Sequence, residues 1–153
     1  MDSLMPLMKE LLSSGKTVSF APMGISMLPM LRQGIDTVTL SPLPEKLKQY
    51  DLPLYQRADG KYILHRVVKA GDTYTCIGDN QFVYETGLTH DRMIALVTAF
   101  SRGDREYSVK DWRYRLYCRL WHHSRPVRHF CRRAKGWLRR RAKKLLCRLG
   151  PEG

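Results

Sequence analysis

No stretch of the 153-residue sequence approaches 18 consecutive apolar residues, so no transmembrane helix is expected. No CxxC pair occurs either. Cys76, Cys118, Cys131 and Cys147 follow one another at steps of 42, 13 and 16, which excludes zinc-finger spacing. His90, His122, His123 and His129 do not group with a cysteine or carboxylate at a ligand step, so neither a metal nor another cofactor is expected. Met1–Leu12 lacks a basic region followed by an apolar one and does not read as a secretory signal. These absences together point to free thiols and a cytoplasmic protein. Acidic residues are scarce in one part only: residues 1–100 hold 10 basic and 10 acidic side chains, residues 101–153 hold 17 and 4. The whole formal net charge of +13 therefore belongs to the last third. A nucleic-acid binder with charge spread over its body is excluded, and the body is neutral.

What is present reads as three segments. Residues 1–14 form an N-terminal helix, with Leu4, Leu7, Met8, Leu11 and Leu12 on one face. Residues 15–100 carry short strand patterns with a turn signal roughly every ten residues. The strands are expected at Thr17–Phe20, Asp36–Leu40, Leu52–Gln56, Tyr62–Lys69, Thr73–Ile77 and Met93–Phe100. Asp59-Gly60 and Gly71-Asp72 mark hairpins, and Gly78-Asp79-Asn80 marks a turn. Between the first two strands, Pro22, Gly24 and Pro29 break an apolar run into a tight turn and a short helical turn. This is the grammar of a mostly β core, a barrel or sandwich, with a short N-terminal helix. Residues 101–153 form a basic amphipathic helical tail. Trp112, Leu116, Tyr117, Leu120 and Trp121 share one face. Beyond an interruption at 122–126, Val127, Phe130, Cys131, Ala134, Trp137, Leu138, Ala142, Leu145 and Leu149 share another, up to a stop at Gly150-Pro151.

Four residues stand out chemically. Ser26 sits between breakers in Gly24-Ile-Ser-Met-Leu-Pro29, where a hydroxyl is either structural or displayed as a nucleophile. His65 interrupts the apolar run Tyr62–Val68 and shares a face with Ile63 and Val67 under strict alternation. It is a satisfied core histidine or a general base. Asp79 is an Asx-turn residue or the group that orients His65, and Glu85 is an alternative orienter. Asp36, Asp51 and Asp91 are most simply turn and strand-end carboxylates.

In order and spacing, Gly24-Ile-Ser-Met-Leu-Pro29, His65-Arg66-Val67-Val68 and Gly78-Asp79-Asn80 resemble motifs of the S24/S26 serine peptidase superfamily. That superfamily holds the type I signal peptidases and the LexA-like self-cleaving repressors. The resemblance covers roughly residues 15–100. It implies a signal peptidase-like β core and a Ser-His dyad, with Ser26 as nucleophile, His65 as base and Asp79 as a third catalytic residue. Glu85 falls where histidine-type members carry a second acidic residue. It implies the Ser26 backbone N–H as one oxyanion donor and an extended leader or signal-like peptide as substrate, with Met27, Leu28 and Met30 along the binding surface or in the core.

Competing readings are an inactive peptide-binding module of the same fold and a regulatory protein acting through its basic tail. For that tail, residues 101–153, the apolar stripe either packs on the body, leaving the arginines solvated, or meets a partner, and with the aromatic content it favours an anionic membrane surface over nucleic acid. The expected location is then peripheral, on the inner face of the membrane.

Overall fold

The computed structural model describes residues 4–148, with side chains described throughout except at 138 and 142–148. Residues 1–3, the Cys147 side chain and the expected helix stop at Gly150-Pro151 lie outside what is described, as do the stripe positions Leu138, Ala142, Leu145 and Leu149. Contacts divide the chain into two compact units, residues 1–122 and 123–153.

The first unit is mostly β. It opens with helix α1 (Met5–Ser13), started by Pro6 in its first turn. Its buried face is Met5, Met8 and Leu12, while Leu4 and Leu7 are exposed. The apolar face is thus rotated from the expected one, although the period is the same. Strands β1 (Val18–Phe20), β2 (Val38–Pro42), β3 (Pro53–Gln56) and β4 (Tyr62–Leu64) follow, then β5 (Arg66–Lys69), β6 (Tyr74–Ile77), β7 (Glu85–Leu88), β8 (Met93–Arg102) and β9 (Arg105–Ser108). One antiparallel sheet runs β1-β2-β8-β3-β4, with β9 also paired to β8. The other runs β5-β6-β7.

The central strand β8 shows why the fold is β. Met93, Ala95 and Val97 alternate inward at period two, and the register with β2 shifts between Thr39 and Leu40. One apolar core joins α1, the Met27–Leu31 segment and the first sheet. A second core fills the space between sheets with Tyr55, Val67, Tyr74, Cys76, Leu88 and Met93.

Two expectations need correction. The run Tyr62–Lys69 is not one strand. It breaks at His65, and its halves enter different sheets, so His65, Arg66, Val67 and Val68 are all buried in sequence. The body also extends beyond residue 100. Strand β9 continues the first sheet, and helix α2 (Trp112–His123) buries Tyr114 and Cys118 in its core. The second unit is built on α3 (Arg125–Arg148). Among the described residues no helix is long and apolar enough to cross a membrane.

Arg66 ties the first unit together. It is fully buried and forms a two-point ion pair with Asp79, at 2.9 Å from Nε and 2.7 Å from Nη2. Its remaining donors reach Tyr114 Oη at 2.8 Å, Cys118 Sγ at 2.9 Å, Met30 Sδ at 3.0 Å and the Tyr50 carbonyl at 3.3 Å. Tyr117 Oη and Trp121 Nε1 donate to the Asp79 carboxylate and carbonyl. Burial opposes the guanidinium charge, but Asp79 outweighs it and holds the Arg66 pKa above its ordinary value. Arg66→Met strands a buried carboxylate and is expected to lower unfolding free energy by about 3–5 kcal/mol in urea titration. Arg66→Met combined with Asp79→Leu should recover part of that loss, because no lone charge remains buried.

Candidate active site

Ser26 lies in the loop between β1 and β2. Gly24 precedes it with φ of 95°, a left-handed conformation that an L side chain rarely adopts, and this turns the chain sharply before Ile25. The loop is held at three points. The Gly24 N–H donates to Gln33 Oε1 at 3.1 Å. Asn80 donates twice, from its backbone N–H to the Ser26 carbonyl at 2.8 Å and from Nδ2 to the Ile25 carbonyl at 3.3 Å. At the far end, Arg32 pairs with buried Asp36, and these hydrogen bonds lower the Asp36 pKa to about 2. Ser26 itself is half-buried. Among the described residues neither its hydroxyl nor its backbone N–H has a hydrogen-bond partner, so the N–H is available to an oxyanion.

His65 is buried at the junction of the two sheets. Its Nδ1 lies 2.9 Å from Glu85 Oε1 and 3.2 Å from Tyr55 Oη. With Nδ1–H given to Glu85, Nε2 keeps the lone pair of the neutral ring. That atom and Ser26 both lie beside Gly78. A Cβ placed on Gly78 would meet His65 Nε2 at 3.1 Å, Ser26 Cβ at 3.1 Å and the Ser26 carbonyl at 2.7 Å. The serine and the imidazole therefore sit against the same bare Cα, at most twice 3.1 Å apart from Cβ to Nε2. No hydrogen bond joins them here. Such bonds are commonly loose in free enzymes and tighten around a substrate.

Glu85, at the start of β7, is also gripped by Arg57, whose Nε donates to Oε2 at 2.7 Å and whose Nη2 donates to Oε1. Burial works against the Glu85 charge, but Arg57 and Tyr55 overcome it and lower its pKa. For His65, burial is the largest influence and lowers its pKa from the ordinary 6.5, even though Glu85 pulls the other way. The ring is thus neutral at pH 7 and can accept a proton.

The Asp79 carboxylate, expected from the sequence to orient His65, is engaged by Arg66 instead. A buried guanidinium needs a carboxylate more than an imidazole does. Asp79 shapes the turn, and Glu85 contacts the ring. Met27 and Met30 are buried in the core, and the Met30 sulfur accepts from Arg66, so Met30 does not line a binding surface. Leu28 is half-buried. Met27 does border a cavity of about 70 Å³ beside Ser26, between the Pro22–Gly24 segment and edge strand β4 (Tyr62, Ile63, Leu64). Sequence reasoning missed Tyr55, Arg57, Asn80 and the hub role of Arg66. Among the described residues no group of three or more His, Cys, Asp or Glu side chains could hold a metal ion. Cys76, Cys118 and Cys131 are free thiols, the first two buried.

Comparison with protein-family models, with curated proteins and with solved structures finds no match for this chain.

The His65 shift gives a titration prediction. Its Cε1–H proton signal should titrate with a midpoint below 6.5, and Glu85→Gln should move the midpoint lower still, because the carboxylate favours imidazolium. The folded state binds this proton more weakly than the unfolded chain does. His65 therefore contributes stability fully present above about 6.5 and lost as pH falls toward the folded value. A midpoint above 6.5 would contradict a ring held neutral by burial.

Proposed function

We propose that the protein is a serine endopeptidase that cleaves an extended peptide through a Ser26-His65 pair oriented by Glu85. The observation that carries this reading is the shared seat on Gly78: His65 Nε2, on a ring bound to Glu85 at Nδ1, lies against the same residue as the Ser26 Cβ, and the Ser26 hydroxyl has no hydrogen-bond partner among the described residues. A serine hydroxyl alone is a weak nucleophile and needs such a base.

Ser26 Oγ attacks the scissile carbonyl, and its proton passes to His65 Nε2. Glu85, kept ionised by Arg57, stabilises the imidazolium that forms. The unengaged Ser26 N–H faces the developing oxyanion as one donor. His65 then returns the proton to the leaving amine, and an acyl-enzyme remains. In the second half His65 removes a proton from the water that attacks the ester, then gives it to Ser26 Oγ as the ester C–O bond breaks, which frees the acid product and restores the neutral ring. The substrate lies extended along the open edge of β4, where backbone groups can pair with it, and a small side chain enters the cavity beside Met27. The resemblance to signal peptidases in Gly24–Pro29, His65–Val68 and Gly78–Asn80 supports a leader or signal-like peptide as substrate.

Ser26→Ala should abolish labelling by a fluorophosphonate probe and hydrolysis of a peptide library, with an unchanged circular dichroism spectrum. Equal labelling of the variant would remove Ser26 from the reaction, and an unlabelled, inactive wild type would favour a peptide-binding module. The acid limb of the rate profile should have its midpoint below 6.5, tracking the His65 titration. Gly78→Ala drives a methyl group into the Ser26 carbonyl. It should reduce kcat/KM by roughly 100-fold, the scale of a displacement of about 1 Å at reacting groups.

A further inference from the structure

Helix α3 contains 11 Lys and Arg residues and no Asp or Glu. Like charges recur at four-residue steps, as in Lys135/Arg139 and Arg140/Lys144, an arrangement that disfavours a helix in water. On the same helix Val127, Phe130 and Trp137 recur at apolar-stripe spacing and are exposed, Phe130 to 72%. Helix α2 repeats the pattern independently. Its inner side, Tyr114 and Cys118, is fixed in the core, while Trp112, Leu116 and Leu120 form a second stripe at four-residue steps, Trp112 67% exposed and Leu120 62%. Arg113, Arg115 and Arg119 flank that stripe, and no acidic residue occurs from 112 to 150. Arginines also lie over the exposed rings, Arg113 over Trp112 at 5.6 Å and Arg141 over Trp137 at 4.1 Å.

Both features need a partner, and the two needs restrict it. Eleven basic side chains on a helix with no carboxylate call for phosphate or another anion. A nucleic-acid backbone would satisfy them but leave two stripes of Trp, Phe and Leu in water. The headgroup–acyl boundary of an anionic bilayer meets both needs at once: apolar side chains enter the acyl region while the arginines remain among phosphates. We propose that α2 and α3 dock on an anionic lipid surface, each through its exposed apolar stripe. The docking does not depend on Ser26 being a nucleophile.

The test uses the full chain and vesicles of phosphatidylcholine with or without phosphatidylglycerol, at about 0.15 M salt, where surface charge acts over only about 8 Å. Binding to the anionic vesicles should be at least about tenfold tighter than to neutral ones, because each basic residue near the surface adds attraction to anionic lipid. Bromine-labelled acyl chains should quench the tryptophan fluorescence of the unaltered protein. The variant Trp112→Ser, Leu120→Ser, Phe130→Ser, Trp137→Ser keeps every charge and should lose about tenfold or more in vesicle affinity. Binding to a DNA duplex should be little changed in that variant. Ser26→Ala should bind vesicles like the wild type, which separates this result from the fate of the peptidase reading. Equal binding to neutral vesicles, no quenching by brominated chains, or a four-site variant that binds as tightly as wild type would each overturn the proposal.

Discussion

A guanidinium with no water around it must find a carboxylate and several further acceptors, and the first unit is organised around that demand at Arg66. Its partners come from separate parts of the chain: the loop after Ser26 (Met30), the turn after β6 (Asp79), the approach to β3 (Tyr50) and helix α2 (Tyr114, Cys118). Replacing all of them with apolar residues would leave the core well packed but would remove the directional bonds that fix where each segment sits. Because Arg66 adjoins His65, and Asp79 lies between Gly78 and Asn80, the pair that orders the body also sets the positions of the imidazole and the Ser26 loop.

Two kinds of support therefore converge on Ser26 and His65. The serine loop is clamped from outside by Asn80 and Gln33 and from within by the burial of Met27, Met30 and Leu31. The histidine is held by a chain of charge that runs from Arg57 through Glu85 to Nδ1, with Tyr55 beside it. The first support fixes position and the second fixes the tautomer. The two sets of contacts share no residue, so one can be altered without removing the other.

The β character of the body and its hairpins were legible in the sequence because turn residues and period-two patterns agree there. Ser26 and His65 were legible as polar intrusions in apolar stretches. Arg66 is an equal intrusion, and it was the overlooked signal. A buried arginine claims the nearest available carboxylate, which assigns Asp79 to Arg66 and leaves Glu85 for His65. The break at His65 was hidden because Tyr62–Val68 is apolar on both sides, and strict alternation has no means of showing a chain that leaves one sheet for another. The body's extension to α2 was hidden by the charge change near residue 101, since Tyr114 and Cys118 lie in a helix whose outer face is cationic.

The shared seat on Gly78 has an evolutionary consequence. Other loops can be tuned in small steps, because a side chain can grow or shrink by a carbon at a time. At residue 78 the spacer between serine and imidazole already has the minimum volume the genetic code offers, and a single added carbon meets backbone. Variation there has only one direction, outward. Lineages that adjust this site must do so from its flanks, at Asn80, Glu85 or the Ser26 loop, while position 78 stays at a corner of sequence space from which every step is a loss.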